Sequence, residues 1–214
     1  LISTDKAVNP SNIMGATKRL AEIIVSSKSN SLFQNHNLNT SIVRFGNVLG
    51  SKGSVIPILT KQIEKGGPVT ITDAKAKRYF MTIKEAVQLV LLASDISSEH
   101  RTYILEMGKQ KNILQLAKEL ILMNGLIPVL RKNKKYGEMN IIFTGLKKGE
   151  KLEEKLFISN NLYNTKFEKI KFIKEPTLNK TKIDKIIEKL IFDLQQQNVV
   201  NLKKILKKYT GLKD

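Results

Sequence analysis

The chain has 214 residues and 41% of them are hydrophobic, so it can bury the core of one domain, or of one domain with an additional lobe. No apolar run approaches the roughly 20 residues that a membrane-spanning helix requires. Cysteine is absent, which excludes a disulfide framework and suits a cytosolic location for these residues.

The net charge of +18 allows two interpretations. It can indicate binding to nucleic acid or to an anionic membrane surface. It can also reflect solvated lysine faces, and this is favoured because only five basic residues are arginine and aromatic residues make up 6% of the chain. Nucleic-acid surfaces use arginine forks and stacking rings. Nucleic acid is therefore not the expected partner, and a Lys-rich module for nucleic acid or anionic membrane remains the non-enzymatic alternative.

A strand and a long helix are the first predicted elements. Residues 1–3 are typical of the end of a strand. Asn9 is predicted to cap the helix and Pro10 to occupy its first position. The helix is expected to run to about Ser29 and to bury a stripe at helical spacing. That stripe consists of Ile13, Ala16, Leu20 and Ile24.

A β-rich run over 40–48 predicts a buried strand of a parallel sheet that ends in a glycine turn over 46–50. Open α/β sheets bind ligands at this end of their strands. The later predicted elements are a helix from Ser54 to Gly66-Gly67-Pro68, a strand over 69–72, a helix over 82–93 that buries Ala86, Val87, Val90 and Leu91, a strand over 103–107, a helix over 113–124 capped by Asn112, a strand over 139–144, a helix over 150–157, and two amphipathic helices beginning near residues 181 and 202. This alternation predicts an α/β fold with parallel pairing.

The chemistry-bearing residues lie near the start of the chain, in Thr4-Asp5-Lys6 and in Met14-x-x-x-Lys18. A Ser or Thr at a strand end, followed by a helix with Tyr-x-x-x-Lys, resembles the active-site layout of short-chain dehydrogenase/reductases. Met14 occupies the tyrosine position. Because a thioether cannot transfer a proton, the base of that family must be replaced or lost here.

A longer match runs in order through ISTDKAVNPSNIMGATKRLAE, VRFGNVLGSKGSVIPILTKQI, GGPVTIT, KRYFMTIKEAVQLVL and FTGLKKGEKLEEKLF. It resembles the CapD-like UDP-N-acetylglucosamine 4,6-dehydratases of polysaccharide biosynthesis, a branch of the extended short-chain dehydrogenases. The resemblance implies the second half of a Rossmann-like parallel sheet with a small α/β substrate lobe and a helical tail. The expected domains are a dehydratase half over 1–164 and a Lys-rich helical tail over 165–214.

The resemblance assigns a role to each residue of the first segment. NAD would take hydride from C4 of the sugar, water would leave across C5–C6, and hydride would return to C6. Asp5 would be the acid at C6, Lys6 the base at C5, Thr4 a hydrogen-bond partner of the C4 hydroxyl, and Lys18 a ligand of the nicotinamide ribose. Isolated Asp and Lys side chains are both charged at neutral pH, whereas these roles need a proton on the acid and none on the amine, so the two must titrate together.

The methionine at the tyrosine position, Met14, resembles the pattern of the long, membrane-anchored members of the family, which retain configuration at C5. The full-length protein is therefore expected at the inner membrane, with this domain on the cytoplasmic side. On the substrate side, Asn47 and Arg78 match residues that contact the diphosphate of the nucleotide sugar. The family's Leu-Arg-Pro-Gly-Glu reads Leu-Lys-Lys-Gly-Glu here, which makes Lys147 and Glu150 substrate-binding candidates. Lys147 keeps the charge but loses the guanidinium fork.

The glycine-rich dinucleotide fingerprint G-x-x-G-x-x-G does not occur in these 214 residues. The expectation is that the cofactor's pyrophosphate site lies in an amino-terminal half of the same polypeptide, and that the isolated chain is inactive. Expected partners are that half and a UDP-sugar, and a homo-oligomer is compatible with the sequence. A nucleotide-sugar 4-epimerase and a C5-inverting dehydratase remain as enzymatic alternatives.

Overall fold

The computed structural model describes residues 1–51, 53–97, 99–131, 135–158 and 162–213. Within them, the strands are β1 (Ile2–Thr4), β2 (Ile42–Phe45), β3 (Asn47–Val48), β4 (Val69–Ile71), β5 (Lys77–Arg78), β6 (Phe80–Met81), β7 (Thr102–Leu105), β8 (Lys111–Asn112), β9 (Ile127–Val129), β10 (Glu138–Phe143), β11 (Tyr163–Asn164) and β12 (Ile170–Ile173). The helices are α1 (Ile13–His36), α2 (Val55–Glu64), α3 (Ile83–Asp95), α4 (Ile113–Met123), α5 (Lys180–Gln195) and α6 (Val199–Thr210), and a 3₁₀ turn covers Asp5–Ala7. No helix in the described ranges is both long and apolar enough to cross a bilayer.

The chain divides into two compact units. The first contains residues 1–45, 87–106 and 155–214, and the second contains 46–86 and 107–154.

The first unit is built on a five-stranded sheet of order β1-β2-β7-β12-β11. β1, β2 and β7 are parallel, while β12 is antiparallel to β7 and to β11. The predicted α/β fold with a parallel sheet is thus confirmed, with an antiparallel edge added. β12 lies inside the region predicted as a helical tail, and the two predicted tail helices follow it as α5 and α6. These helices share a buried cluster with α1, formed by Ala16, Leu20, Ile183, Ile186, Ile205 and Leu206.

The second unit contains a parallel sheet of order β4-β10-β9 and two short pairs, β3 with β6 and β5 with β8. Helices α2 and α4 contribute to its core, which consists of Leu59, Ile63, Val69, Ile71, Ala76, Ile113, Ala117, Ile121, Met139 and Ile141. The predicted cap of α4 is present, because the side chain of Asn112 accepts from the Gln115 amide at 2.9 Å.

The predicted start of the first helix is wrong. α1 begins at Ile13, and its cap is Asn12, whose side chain accepts from the Gly15 amide at 2.9 Å. Asn9 instead adopts a left-handed conformation with φ of 46°, whereas helix-capping residues are normally extended. A cap cannot be located from residue type alone where two asparagines lie so close together.

The buried face of α1 also differs from the prediction. Ala16 and Leu20 are buried as expected, but Ile13 is 45% exposed and the helix continues past Ser29 to His36. Ser26 and Ser29 are buried, so the helix continues against protein where its apolar pattern has ended.

The strand predicted over 40–48 is interrupted at Gly46. β2 ends at Phe45 in the first unit, and β3 pairs with β6 in the second unit. The Gly46 amide donates to the sulfur of Met107 at 2.8 Å rather than to a neighbouring strand. A continuous β-rich run does not reveal where the chain passes from one sheet to another.

The helix predicted over 150–157 is wrong. Its carbonyl groups accept from distant residues instead of from amides one turn later. The Leu152 carbonyl accepts from the Lys77 amide at 2.8 Å, the Glu154 carbonyl from Gln110 at 2.6 Å, and the Leu156 carbonyl from Arg44 at 3.1 Å. These tertiary hydrogen bonds hold the segment in an irregular conformation.

The predicted inward face of α3 is partly wrong. Ala86 is 5% exposed as expected, but Val87 and Leu91 are 51% and 65% exposed. The buried stripe instead continues through Leu89 and Ala93, which preserves helical spacing with a different phase.

Candidate active site

The first candidate residues lie where β1 ends. Thr4 is the last strand residue and pairs in parallel with Phe45, and the 3₁₀ turn begins at Asp5. The Thr4 hydroxyl accepts from the Lys6 amide at 3.4 Å and caps that turn. The segment therefore lies at the carboxyl end of a parallel strand, the position at which open α/β sheets bind ligands.

Asp5 is fully buried, although it is charged by residue type. Its Oδ1 accepts from the Thr4 hydroxyl at 2.9 Å and from the Lys6 ammonium at 3.0 Å. Its Oδ2 is buried and has no hydrogen-bond partner among the described residues. A carboxyl oxygen left in this state is costly unless it carries a proton or meets a ligand donor.

Lys6 differs from Asp5 in its exposure, because its side chain is 25% accessible while that of Asp5 is inaccessible. The pair is thus not the exposed ion pair that a charged strand end commonly carries. The Asp5 carboxyl is withdrawn from water, whereas the Lys6 amine is in contact with solvent and can exchange protons with it. The contact between a buried carboxyl and a partly exposed amine makes the pair a candidate for acid–base chemistry on geometric grounds.

Met14 and Lys18 lie one turn apart on α1. Met14 is 50% exposed, so it does not serve as a core residue. The Lys18 ammonium donates to the Ile2 carbonyl at 3.0 Å, which places it beside β1, the strand that carries Thr4 at its end. An ammonium has three donors, so this contact leaves capacity for a ligand hydroxyl.

Gly15 fixes how closely α1 approaches the turn that holds Lys6. A Cβ atom at this position would collide with the Lys6 carbonyl oxygen and would lie 3.3 Å from the Pro10 Cβ. Only glycine therefore allows the helix that carries Met14 and Lys18 to pack directly on the backbone of Lys6.

Replacing Gly15 with alanine is expected to lower the free energy of unfolding by about 1–3 kcal/mol, because the overpacking outweighs the higher helix propensity of alanine. Urea unfolding of the chain measures this difference. Thr17→Ala, at an exposed position of the same helix, should change stability by less than about 0.5 kcal/mol. Equal stability of the two variants would show that α1 can shift away from the turn at no cost.

A buried network below β1 was not predicted from the sequence. Glu22 on α1 is fully buried and accepts from the Ser3 hydroxyl at 2.6 Å. Arg44 on β2 is 1% exposed and donates to both oxygens of Glu22, at 3.0 and 2.8 Å. Arg44 also donates to Glu175 at 3.2 Å. The available signal was an arginine within an otherwise apolar strand, because a charge there requires a partner.

This network fixes the residue that precedes the candidate catalytic segment. Burial raises the pKa of Glu22, but the hydrogen bonds and charge of Arg44, together with the hydrogen bonds from Ser3 and Arg19, outweigh this effect, so the pKa lies below its ordinary value. Glu22 is therefore ionised when it holds Ser3, one residue before Thr4.

The candidate substrate residues lie in the second unit. Arg78 donates to Glu150 at 3.1 Å, and Glu150 also accepts from the Thr72 hydroxyl at 2.8 Å and from the Lys147 amide at 3.3 Å. The structure thus brings Arg78, Lys147 and Glu150 together. Asn47 opens β3, where its amide donates to the Tyr79 carbonyl at 3.2 Å. A phosphate that binds Arg78 through its fork must compete with Glu150.

A polar cavity of about 810 Å³ lies elsewhere in the first unit. It is lined by the second half of α1, the residues before β7 and the start of α5, and includes His100 and Glu175. Burial lowers the pKa of His100, whose ring contacts the Ser26 hydroxyl at 2.9 Å. None of the predicted catalytic residues lines this cavity, so it does not form part of the candidate active site.

Comparisons with known proteins match most of the chain. The family model for "Polysaccharide biosynthesis protein" matches residues 1–175. The capsular polysaccharide biosynthesis protein CapD of Staphylococcus aureus is 44% identical over 203 residues, which cover 94% of this chain and 32% of CapD. The crystal structure of Pen from Bacillus thuringiensis has a TM-score of 0.71 and 32% identity, covering 83% of this chain and 52% of Pen. The chain therefore spans about a third of CapD and about half of Pen.

Other matches carry the names of two related activities. DesIV from Streptomyces venezuelae, a dTDP-glucose 4,6-dehydratase solved with NAD and TYD, has a TM-score of 0.55 and 16% identity over 72% of this chain and 49% of its own. At 16% identity this similarity shows only that the two proteins share a fold. Relatives from Rickettsia species named UDP-glucose 4-epimerase are 32–35% identical over 76% of this chain and 44% of their own length. The family match and the likeness to CapD together show that the chain belongs to the CapD-like polysaccharide biosynthesis protein family.

Proposed function

We propose that this chain is the carboxyl-terminal half of the catalytic domain of an NAD-dependent 4,6-dehydratase that acts on UDP-N-acetylglucosamine in the synthesis of surface polysaccharide. The observation that carries the proposal is the buried Asp5, with one oxygen bound to Thr4 and Lys6 and the other without a partner among the described residues. A dehydratase needs two proton-transfer groups beside adjacent carbons, and Asp5 with Lys6 supplies them.

The cofactor assignment is supported by the position of Lys18. When bound, NAD supplies the oxidation at C4 and the reduction at C6. The Lys18 ammonium, held beside β1 by the Ile2 carbonyl, fits the role of a donor to the nicotinamide ribose. The remaining ligands of the cofactor are assigned to residues outside this chain, because the glycine-rich fingerprint is absent here.

In the proposed reaction, Thr4 passes the proton of the C4 hydroxyl to Asp5. The hydrogen bond of 2.9 Å from Thr4 to Asp5 provides this path, and Met14 need not take part. Asp5, now protonated, gives its proton to the C6 hydroxyl, which leaves as water. Lys6, neutral at this stage, removes the C5 proton as the C5–C6 double bond forms.

The elimination changes a neutral Asp5–Lys6 pair into an ion pair. The contact of 3.0 Å between them therefore stabilises the state after water has left more than the state before. Lys6 then returns a proton to C5 as C6 is reduced, and the pair regains its starting charges with no net proton uptake. Because one amine removes and returns the proton, configuration at C5 is retained.

The test uses the longer native protein with UDP-N-acetylglucosamine and NAD in deuterated water. A dehydratase gives a product that has lost one water and carries deuterium at C5, because the partly exposed Lys6 exchanges its protons with solvent. Mass spectrometry and proton NMR measure both features. A product that has lost water but carries no deuterium at C5 would rule out Lys6 as the base. A product that has not lost water would rule out the proposed function.

A 4-epimerase is the second candidate, because relatives with that name match three quarters of the chain. Its chemistry is confined to C4, so it would leave the Asp5–Lys6 pair without a task at C5 and C6. In the same experiment, an epimerase yields an isomer of the substrate with neither loss of water nor label at C5.

Replacing Met14 with leucine is expected to leave most of the dehydratase activity, because the thioether is half exposed and transfers no proton. The turnover number of the longer protein should fall less than about fivefold, since a leucine preserves volume and polarity. Steady-state product formation measures it. A loss as complete as that caused by removing the Lys6 amine would instead place the sulfur in direct contact with the reaction.

The membrane anchor remains a prediction that rests on the resemblance of Met14 to the long members of the family. The coding sequence upstream of Leu1 tests it. A glycine-rich fingerprint together with hydrophobic spans of about 20 residues is expected there. A fingerprint without such spans would place the protein in a branch without an anchor.

A further inference from the structure

The last turn of α5 and the first turn of α6 expose apolar side chains on either side of the short connection between the two helices. They are Ile191, Phe192, Leu194, Val199 and Val200, which are between 51% and 64% exposed. We refer to these five residues as the apolar tip. Apolar side chains that are exposed together within ten residues of the chain mark interaction sites more often than isolated ones do.

The conformation of the apolar tip is fixed by hydrogen bonds. The Gln196 amide donates to the Phe192 carbonyl at 3.0 Å, and the Asn198 amide donates to the Asp193 carbonyl at 2.8 Å. The side chain of Asn201 donates to Asp193 at 3.2 Å. The tip is therefore an ordered part of the helical hairpin.

The opposite faces of α5 and α6 are already buried. Ile183 and Ile186 of α5 and Ile205 and Leu206 of α6 pack with α1 in a common core cluster. Because these faces hold the hairpin on the first unit, the apolar tip cannot be covered by turning either helix over. Any cover for it must come from outside these two helices.

Lysine side chains accompany the tip on the exposed faces of both helices. Lys185 and Lys189 precede Phe192 by seven and three positions, and Lys203 and Lys204 follow Val200 by three and four, so each pair shares a helix face with its apolar residue. All four lysines are exposed. Over residues 180–213 there are nine lysines, three acidic residues and no arginine, which leaves an excess of six positive charges.

The acidic residues weaken this positive surface little. Asp193, which lies nearest the tip, is 2% exposed and is held by Asn201. Asp184 forms an ion pair with Lys28 of α1 at 2.8 Å. Glu188 is exposed on α5 and remains as a negative charge beside Phe192.

We propose that the apolar tip and its lysines form a docking surface for an anionic lipid bilayer. The tip enters the interfacial region, and the lysines contact the phosphate groups of the lipids while their stems lie along apolar surface. A nucleic acid would pair with the same lysines but would leave four aliphatic side chains in water, so the bilayer accounts for both features.

The first test places a fluorescent reporter in the tip. The chain has no tryptophan, so Phe192→Trp introduces a single one. Its emission should shift to shorter wavelength on addition of vesicles made of phosphatidylcholine and phosphatidylglycerol in equal parts, and not with phosphatidylcholine alone. Met123→Trp, at the 82% exposed last residue of α4, is the matched control and should not shift. Equal shifts at both positions, or none at Phe192→Trp, would overturn the proposal.

The second test separates the apolar and the charged contributions by vesicle sedimentation of the 214-residue chain. Each removed lysine should weaken binding about fivefold, so Lys203→Gln with Lys204→Gln should weaken it about 25-fold. Lys61→Gln with Lys65→Gln, an exposed pair at the carboxyl end of α2, should leave binding unchanged. Phe192→Ser with Val200→Ser should also reduce vesicle binding, with unchanged circular dichroism.

Two outcomes contradict a lipid partner. Vesicle binding that is insensitive to Phe192→Ser with Val200→Ser would show that the tip does not enter the bilayer. Tighter binding to duplex DNA than to vesicles, dependent on Lys203 and Lys204 but not on Phe192, would assign the lysines to a nucleic acid instead.

Discussion

Asp5→Asn in the longer protein is expected to abolish dehydration of UDP-N-acetylglucosamine, with a rate loss of at least about 10²-fold, the lower range for a general acid. The amide oxygen can still accept from Thr4 and Lys6, so the fold should be preserved. The amide cannot receive the C4 proton or deliver it at C6. Both the oxidation and the elimination should therefore fail, and no reduced nicotinamide should accumulate in absorbance measurements.

Lys6→Ala separates these steps. Thr4 and Asp5 can still take the C4 proton, so reduced nicotinamide should appear in a single turnover, but without a base at C5 no water should be lost. Asp95→Asn is the matched control, because Asp95 is 70% exposed in its ion pair with Lys166, and its activity should equal that of the parent. If the Asp5→Asn variant formed reduced nicotinamide at the rate of the parent protein, the proposed proton path from Thr4 to Asp5 would be wrong.

Local patterns predicted the elements that local chemistry determines. The cap at Asn112, the stop after α2 and the strand β10 each depend on residues within a few positions of one another. The segment over 150–157 has comparable local signals, yet Lys77, Gln110 and Arg44 take its carbonyl groups. Distant partners cannot be read from the segment itself, so the predicted helix was wrong.

The candidate site likewise has features that the sequence predicted and features that it did not. Thr4, Asp5 and Lys6 are consecutive, so their proximity followed from the sequence. The burial of Asp5 did not, because it depends on how closely α1 packs on the turn at Gly15. The pairing of Arg78 with Glu150 also joins residues far apart in the chain and was not predicted, although each had been named as a substrate residue.

Arg44→Met is expected to lower the free energy of unfolding of the chain by about 3–5 kcal/mol, because it leaves the fully buried Glu22 without its main partner. Glu22→Gln should have a smaller effect of the same sign, since the amide keeps the hydrogen bond from Ser3. Urea unfolding at neutral pH measures both. Glu153→Gln, in the exposed pair with Lys77, should change stability by less than about 1 kcal/mol.

The combined variant Glu22→Leu with Arg44→Met should be more stable than Arg44→Met alone, because it removes both buried charges.

The pH dependence of stability gives a second readout. The pKa of Glu22 in the folded chain lies below its ordinary value of 4.5, so its contribution to stability is present above that value and is lost as pH falls towards the folded pKa. The parent should therefore lose more stability than the combined variant between neutral pH and about pH 3. Parallel losses would show that Glu22 is not the ionised centre of this network.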